Sequence, residues 1–320
     1  MATIAEQLTS LANTKTAIKD AIVAKGVSVA DDTPFSGYAT KIGEISGGGA
    51  PATKFGASVD TWIGDVVDGV LQKSTVQTAL NFTGITEIGT DALYYAFYGR
   101  TGITSVDLSS LQTVGRNGLS YAFYQCSGIT GALDLSLLTT VASNGLYCAF
   151  YQCNGITSFD LSSLQSVGYG GLYGTFNGCS GITSADLSSL QSVGSNGMYN
   201  AFANCYGITS ADLSSLTTVD TNGLFYAFNT CPKLASIDLS SLQSLGSYGL
   251  NSTFRSCTSL TTISFPSLTS LLTNSLSDAF QYCTNLTEIH FRADMQATIE
   301  ACTGYDKKFG ATNATIYFDL

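Results

Sequence analysis

His290 is the single histidine of the chain, and Cys302 lies 12 residues beyond it. A thiol and an imidazole held together can act as nucleophile and base, but a third group must orient the pair. The sequence supplies no such group, so no catalytic residue is assigned and the chain is read as a non-enzyme. Seven of the nine cysteines recur at a fixed interval: Cys126, Cys153, Cys179, Cys205, Cys231, Cys257 and Cys283. Metal sites use clustered C-x-x-C pairs, which the chain lacks, so no metal is assigned. Each of these cysteines sits three residues after a phenylalanine, as small interior residues do, and buried free thiols are expected. A carboxylate column runs beside them: Asp107, Asp134, Asp160, Asp186, Asp212 and Asp238, each opening a D-L-S motif. An aspartate there can accept the backbone N–H groups of the following serines as an Asx-turn. Stacked carboxylates repel one another, which leaves calcium between coils as a second reading of the same column. No cofactor is called for.

Tyrosines form the remaining pattern. One row reads Tyr94, Ser120, Tyr147, Tyr173, Tyr199, Phe225, and another reads Tyr98, Tyr124, Tyr151. A tyrosine ring offers an apolar face and a polar tip, a pairing that suits sugar rings and protein epitopes alike. Tyr94, Tyr98, Tyr124, Tyr147, Tyr151, Tyr173 and Tyr199 are therefore the candidate receptor-binding residues. The rings could equally stack on one another and serve only the fold. The sequence leaves both readings open.

What positions these residues is a repeat. Phe97, Phe123, Phe150, Phe176, Phe202, Phe228, Phe254 and Phe280 are separated by 26, 27, 26, 26, 26, 26 and 26 residues. So fixed a period marks a solenoid, in which each unit buries its apolar face only against its neighbours. Gly102–Ser127 is a representative unit. Val106-x-Leu108 alternates with period two and reads as a short strand. Asp107-Leu-Ser-Ser turns the chain, and Leu111-x-x-Val114 makes a second inward pair. Gly115 to Gly118 bends it again, with Asn or Gly where a positive φ is useful. Leu119-Ser-Tyr-Ala-Phe123-x-x-Cys126 has helical spacing and predicts one or two helical turns, with Phe123 and Cys126 inward.

The signature A-F-x-x-C-x-x-L/I-T-x-I/V resembles the BspA-type leucine-rich repeats of bacteria, over residues 80–291. The resemblance implies an α/β repeat solenoid used for adhesion or recognition, and no catalysis. Such an array is expected to be capped at both ends. Residues 52–79, with Trp62, Val66, Val67, Val70 and Leu71, are read as the N-terminal cap. Residues 292–320 are read as the C-terminal cap, with a helix at Met295–Cys302 and a final strand at 315–320.

The chain has 320 residues, of which 11% are charged, with a net charge of −10. Lacking a basic run, it is not expected to bind nucleic acid, and no apolar stretch is long enough to span a membrane. The N-terminus has neither the basic nor the long apolar region of a Sec signal peptide.

Residues 1–45 stand apart. Ile4, Leu8, Leu11, Ile18 and Ile22 fit a heptad seam, with Lys15 in its one polar slot. Ser46-Gly47-Gly48-Gly49-Ala50-Pro51 then makes a flexible joint over residues 46–51. The run IAEQLTSLANTKTAIKDAIVAKGV followed by TPFSGYATKIGEI resembles the short N-terminal modules of phage and prophage tail or fibre proteins. That resemblance implies an attachment or oligomerisation module, other virion proteins as partners, and a homo-oligomer. The expected function is a virion appendage whose solenoid recognises a bacterial surface glycan or protein. The alternative is a bacterial cell-surface adhesin of the same repeat family.

Overall fold

The computed structural model describes residues 79–320 and, before them, the strands Lys54–Phe55, Asp65–Val67 and Val70–Gln72. The heptad seam at Ile4, Leu8, Leu11, Ile18 and Ile22, the joint at 46–51 and the cap side chains from Trp62 to Leu71 lie outside the described residues. The chain divides into two compact units, residues 1–53 with 64–73 and residues 54–63 with 74–320. Of the first, the described part is an antiparallel hairpin pairing Asp65–Val67 with Val70–Gln72. The second is the repeat solenoid.

Each coil carries two strands. The first is the Val-x-Leu segment, as in Ser105–Asp107, Ser184–Asp186 and Ser210–Asp212. Its middle residue is buried between two outward ones, the period-two pattern of a strand with one face in the core. The second strand is two residues long, as in Thr113–Val114 and Thr218–Val219. These second strands join into one nine-stranded parallel sheet running from Lys54–Phe55 to Ser270–Leu271. Equivalent residues pair across coils, Val167 with Val193 and Val193 with Val219, so the side-chain columns of the sequence become columns in space. The single 27-residue gap is taken up at Gly131 (φ 86°), where the pairing of Thr130–Asp134 with Gly155–Asp160 shifts register. One inserted residue thus becomes a local bulge instead of flipping every later side chain to the wrong face.

The third side of the coil corrects the expected helix. Residues 115–126 form a run of turns in which alternate amides go to different partners. Gly118, Ser120, Ala122, Tyr124 and Cys126 donate to carbonyls three residues back, whereas Leu119, Tyr121, Phe123 and Gln125 donate to Gly145, Tyr147, Ala149 and Tyr151 of the next coil. Every fourth residue is left-handed: Asn117 (φ 52°), Tyr121 (φ 55°) and Gln125 (φ 56°). Positive φ at the third position of a turn reverses the chain direction, and asparagine and glycine tolerate it best. An α-helix would spend all its amides within the coil; here half of them tie adjacent coils together. The inward set matches the expectation nonetheless. The rings from Phe123 to Phe280 are fully buried and stack in parallel, with centroids 5.2 to 6.1 Å apart. Each buried ring contributes about 1.5–3 kcal/mol of transfer free energy.

After Phe291 the chain leaves the repeat. A short α-helix at Gln296–Glu300 buries Ile299, and the strand Thr315–Phe318 adds in parallel to Glu288–Phe291. The carbonyl of Phe309 accepts the Phe280 amide at 3.0 Å, the bond a following coil would otherwise make.

Candidate functional site

The repeated cysteines are free and buried, and each has a structural partner. Cys179 Sγ donates to the carbonyl of Phe150 at 3.0 Å, and Cys205 and Cys231 do likewise to Phe176 and Phe202 at 3.1 Å. The thiol therefore fills space behind the phenylalanine and adds a weak bond between coils. Thr175 and Thr253 use their hydroxyls similarly where alanine is usual, donating to the carbonyls of Leu146 and Leu224. Burial pushes the Cys179 and Cys231 thiols up to about 12, which removes them as nucleophiles at neutral pH.

The aspartates cap turns. Ser109, Ser136, Ser162, Ser188, Ser214 and Ser240 each donate a backbone N–H to Oδ1 of the aspartate two residues earlier, at 2.8 to 3.1 Å. Hydrogen bonds from the Ser109 hydroxyl and amide, and from Thr83, hold Asp107 below the usual carboxylate range. Among the described residues no cluster of three or more His, Cys, Asp or Glu side chains is arranged to hold a metal ion. No described helix is long and apolar enough to cross a membrane.

His290 stacks on Tyr317 at 4.9 Å, with Nδ1 2.9 Å from Asp319 and Nε2 3.5 Å from Glu288. Burial pulls its pKa down, but the two carboxylates outweigh burial and leave it raised. The Cys302 thiol donates to the carbonyl of Thr298. The two groups that could have formed a nucleophile and base are thus engaged elsewhere, and each serves the end of the solenoid.

The tyrosines are brought together on the turn side of the coils. Tyr98, Tyr124 and Tyr151 stack at 4.7 and 4.6 Å. Tyr147, Tyr173, Tyr199 and Phe225 stack at 4.4, 4.7 and 4.8 Å. A third row, at left-handed positions, links the two: Tyr95 stacks on Tyr121 at 4.5 Å, and Tyr121 lies 5.7 Å from Tyr124 and 5.3 Å from Tyr147. Tyr94 meets Tyr95 edge-on at 4.6 Å, and Tyr226 closes the far end against Phe225. The seven tyrosines singled out by the sequence are therefore one surface, which also includes Tyr95, Tyr121, Phe225 and Tyr226. The 26-residue offset from Tyr95 to Tyr121 signalled the extra row, but a helix in place of the turns obscured where its rings would point.

This geometry decides what the surface can do chemically. Within the rows the ring faces are occupied by neighbouring rings, so ligands meet edges and phenol hydroxyls. The most exposed rings of this surface are at one end, where Tyr94 is 51% exposed and Tyr98, stacked on Tyr95 and Tyr124, is 44% exposed. Burial raises the Tyr121 hydroxyl to about 12, so it stays a neutral donor and acceptor across the physiological range. A wall of edges and hydroxyls suits hydrogen bonding to a polyhydroxylated or peptide surface, with sugar-ring stacking best served by the exposed ring of Tyr94.

Comparison with known proteins was consistent with the repeat. The family described as BspA type leucine rich repeat region (6 copies) matches residues 86–225, 148–270 and 175–302. Among solved structures, a leucine-rich repeat protein of T. pallidum is 22% identical, with a TM-score of 0.41, covering 57% of this chain and 78% of its own. A leucine-rich repeat protein from Bacteroides ovatus is 16% identical, with a TM-score of 0.22, covering 76% and 84%. An internalin from Listeria monocytogenes is 12% identical, with a TM-score of 0.19, covering 68% and 74%. No curated protein sequence matches. With its repeats matched from residue 86 to residue 302, the chain belongs to the BspA type leucine-rich repeat family, whose members are in general interaction or adhesion proteins without catalytic activity.

Proposed function

We propose that this protein is a virion appendage, similar to a tail fibre, whose solenoid binds a bacterial surface glycan or protein. The observation that carries the recognition half is the contiguous tyrosine surface, which spans the coils from Tyr94 to Tyr226. Its outward edges and hydroxyls offer donors and acceptors without charge, as suits a carbohydrate or a polar protein epitope. The attachment half rests on the resemblance of residues 4–45 to phage tail modules and on the glycine joint after them. In this reading residues 1–45 hold the protein to other virion proteins and make it a homo-oligomer, and the virion is its location.

Binding of the purified chain to intact bacterial cells, before and after enzymatic removal of surface glycans, tests the recognition half. Binding that disappears with the glycans supports it, and absence of binding to every host strain refutes it. A reporter carrying residues 1–46 that fails to associate with virions would count against the attachment half. A cell-surface adhesin is the second reading, favoured by the family itself; it predicts the same cell binding with no association to virions.

A further inference from the structure

The last coil and the segment after it enclose a groove of about 580 Å³ on a different part of the solenoid from the tyrosine rows. Tyr282 stands in it, 58% exposed and left-handed at φ 63°. Unlike the row tyrosines, it has no ring stacked on it among the described residues. The Arg255 guanidinium lies 5.1 Å from its centroid on one side, a cation–π arrangement. Lys307 and Lys308, from the segment Tyr305–Gly310, line the same groove. Lys307 makes no ion pair among the described residues, and Lys308 Nζ makes only a long 3.5 Å contact to the Thr312 carbonyl. Asp278 and Asp306 also line the groove, with Gln281, Thr284 and Asn313 supplying uncharged acceptors and donors.

The groove is pre-formed. Phe309 is fully buried beneath the last coil, and its carbonyl accepts the Phe280 amide. Gly310 (φ +93°) lies so close that an added Cβ would sit 2.7 Å from Gln281 Cα. These contacts hold the segment that carries Lys307 and Lys308 against the last coil, where both residues and Tyr282 line the groove.

In a chain with 13 basic and 23 acidic residues, Arg255 lies over the Tyr282 ring, and Lys307 and Lys308 line the same groove as that ring. We infer that this groove binds a carboxylate-bearing sugar, such as a uronate residue of an acidic polysaccharide. The sugar ring lies on Tyr282, its carboxylate meets Lys307 and Lys308, and Asp278, Asp306 and Asn313 take its hydroxyls. The inference rests on reading the solenoid as a glycan-recognition surface, and it names the chemistry of one subsite.

The test is titration calorimetry of the intact chain with trigalacturonate, with its carboxyl-reduced neutral counterpart, and with a glutamate-rich peptide. Trigalacturonate should bind, the neutral sugar roughly tenfold or more weakly, and added salt should weaken the charged probe only. Lys307→Gln with Lys308→Asn, the asparagine chosen because it tolerates the left-handed backbone, should abolish the preference for the charged sugar, and Tyr282→Asn should weaken both sugars. Equal binding of charged and neutral sugars, tight binding of the peptide, or an unaltered preference in the double-lysine variant would overturn the inference. The same proteins run in the whole-cell assay separate the two ideas. Wild-type cell binding without trigalacturonate binding removes the groove and leaves the recognition reading standing. Trigalacturonate binding without cell binding does the reverse.

Discussion

Tyr173 lies in the middle of the longer tyrosine row and separates two roles that one substitution would confuse. Its ring contacts Tyr147 at 4.4 Å and Tyr199 at 4.7 Å, both nearly parallel. Stacked aromatic pairs contribute about 0.5–1.5 kcal/mol each beyond area burial, so Tyr173→Ala should cost about 1–3 kcal/mol from lost stacking alone. Tyr94, with one edge-on neighbour and half its surface exposed, should cost less than about 1 kcal/mol when cut to alanine. Tyr173→Phe keeps both stacks and removes only the hydroxyl. It should therefore retain nearly all the stability while weakening cell binding, because the hydroxyls and edges are what the interior of the row shows to a ligand. Urea unfolding followed by circular dichroism gives the stabilities, and the whole-cell assay gives the binding. If Tyr173→Ala proved no more destabilising than Tyr94→Ala, the stacks would carry little energy and the assignment of occupied faces would fail. If Tyr173→Phe bound cells as well as the parent while Tyr94→Ala did not, recognition would belong to the exposed ring of Tyr94.

Further outcomes follow from the coil geometry and the titrating groups. A Cβ on Gly181 would sit 2.6 Å from the Ile156 carbonyl and 2.9 Å from that of Asn154, whereas at Gly102 nothing lies within 4 Å. Gly181→Ala should thus lower stability by about 1–3 kcal/mol or more and Gly102→Ala by little, as urea midpoints would show. The thiols of Cys153, Cys179, Cys205 and Cys231 are fully buried and pushed up by that burial, so they should stay silent to a thiol reagent in the native state at neutral pH. Their rapid modification without unfolding would contradict the packing. His290 has a raised folded pKa, so its contribution is complete below the unfolded value of about 6.5 and is lost as pH rises through the folded pKa. Asp319→Asn should accordingly reduce the melting temperature more at about pH 5.5 than at about pH 8, and an equal loss at both would refute the pairing.

Residue spacing was enough to read the inward columns. Phe, Cys and the strand valines and leucines recur because a coil can bury its apolar side only against the same side of its neighbours, so any departure from the period exposes a core residue. The D-L-S motif was equally legible, since an Asx-turn involves only residues two apart and each of the six aspartates makes it. The third side of the coil was not. Leu119, Phe123 and Cys126 carry helical spacing, yet Asn117, Tyr121 and Gln125 are left-handed and half of the amides bond to the next coil. Spacing reports which residues face inward, and a run of turns can place the same residues inward as a helix does.

The candidate sites divide the same way. The seven tyrosines were legible as columns because six lie one period from another and Tyr94 lies two periods from Tyr147, with Ser120 between. That they form one surface depended on Tyr95 and Tyr121, whose left-handed backbone directs their rings between the two rows. The groove at Tyr282 had no signal in the sequence, because Lys307 and Tyr282 come to line one groove only where the chain after the last coil folds back over it. By itself the sequence determined the period, the inward columns and the turn caps, all of which follow from contacts that repeat at one fixed separation. Tertiary structure alone decided the backbone of the third side, the occupied faces of the tyrosine rings and the groove, because these depend on how a coil's amides divide between itself and its neighbour and on contacts that occur only once.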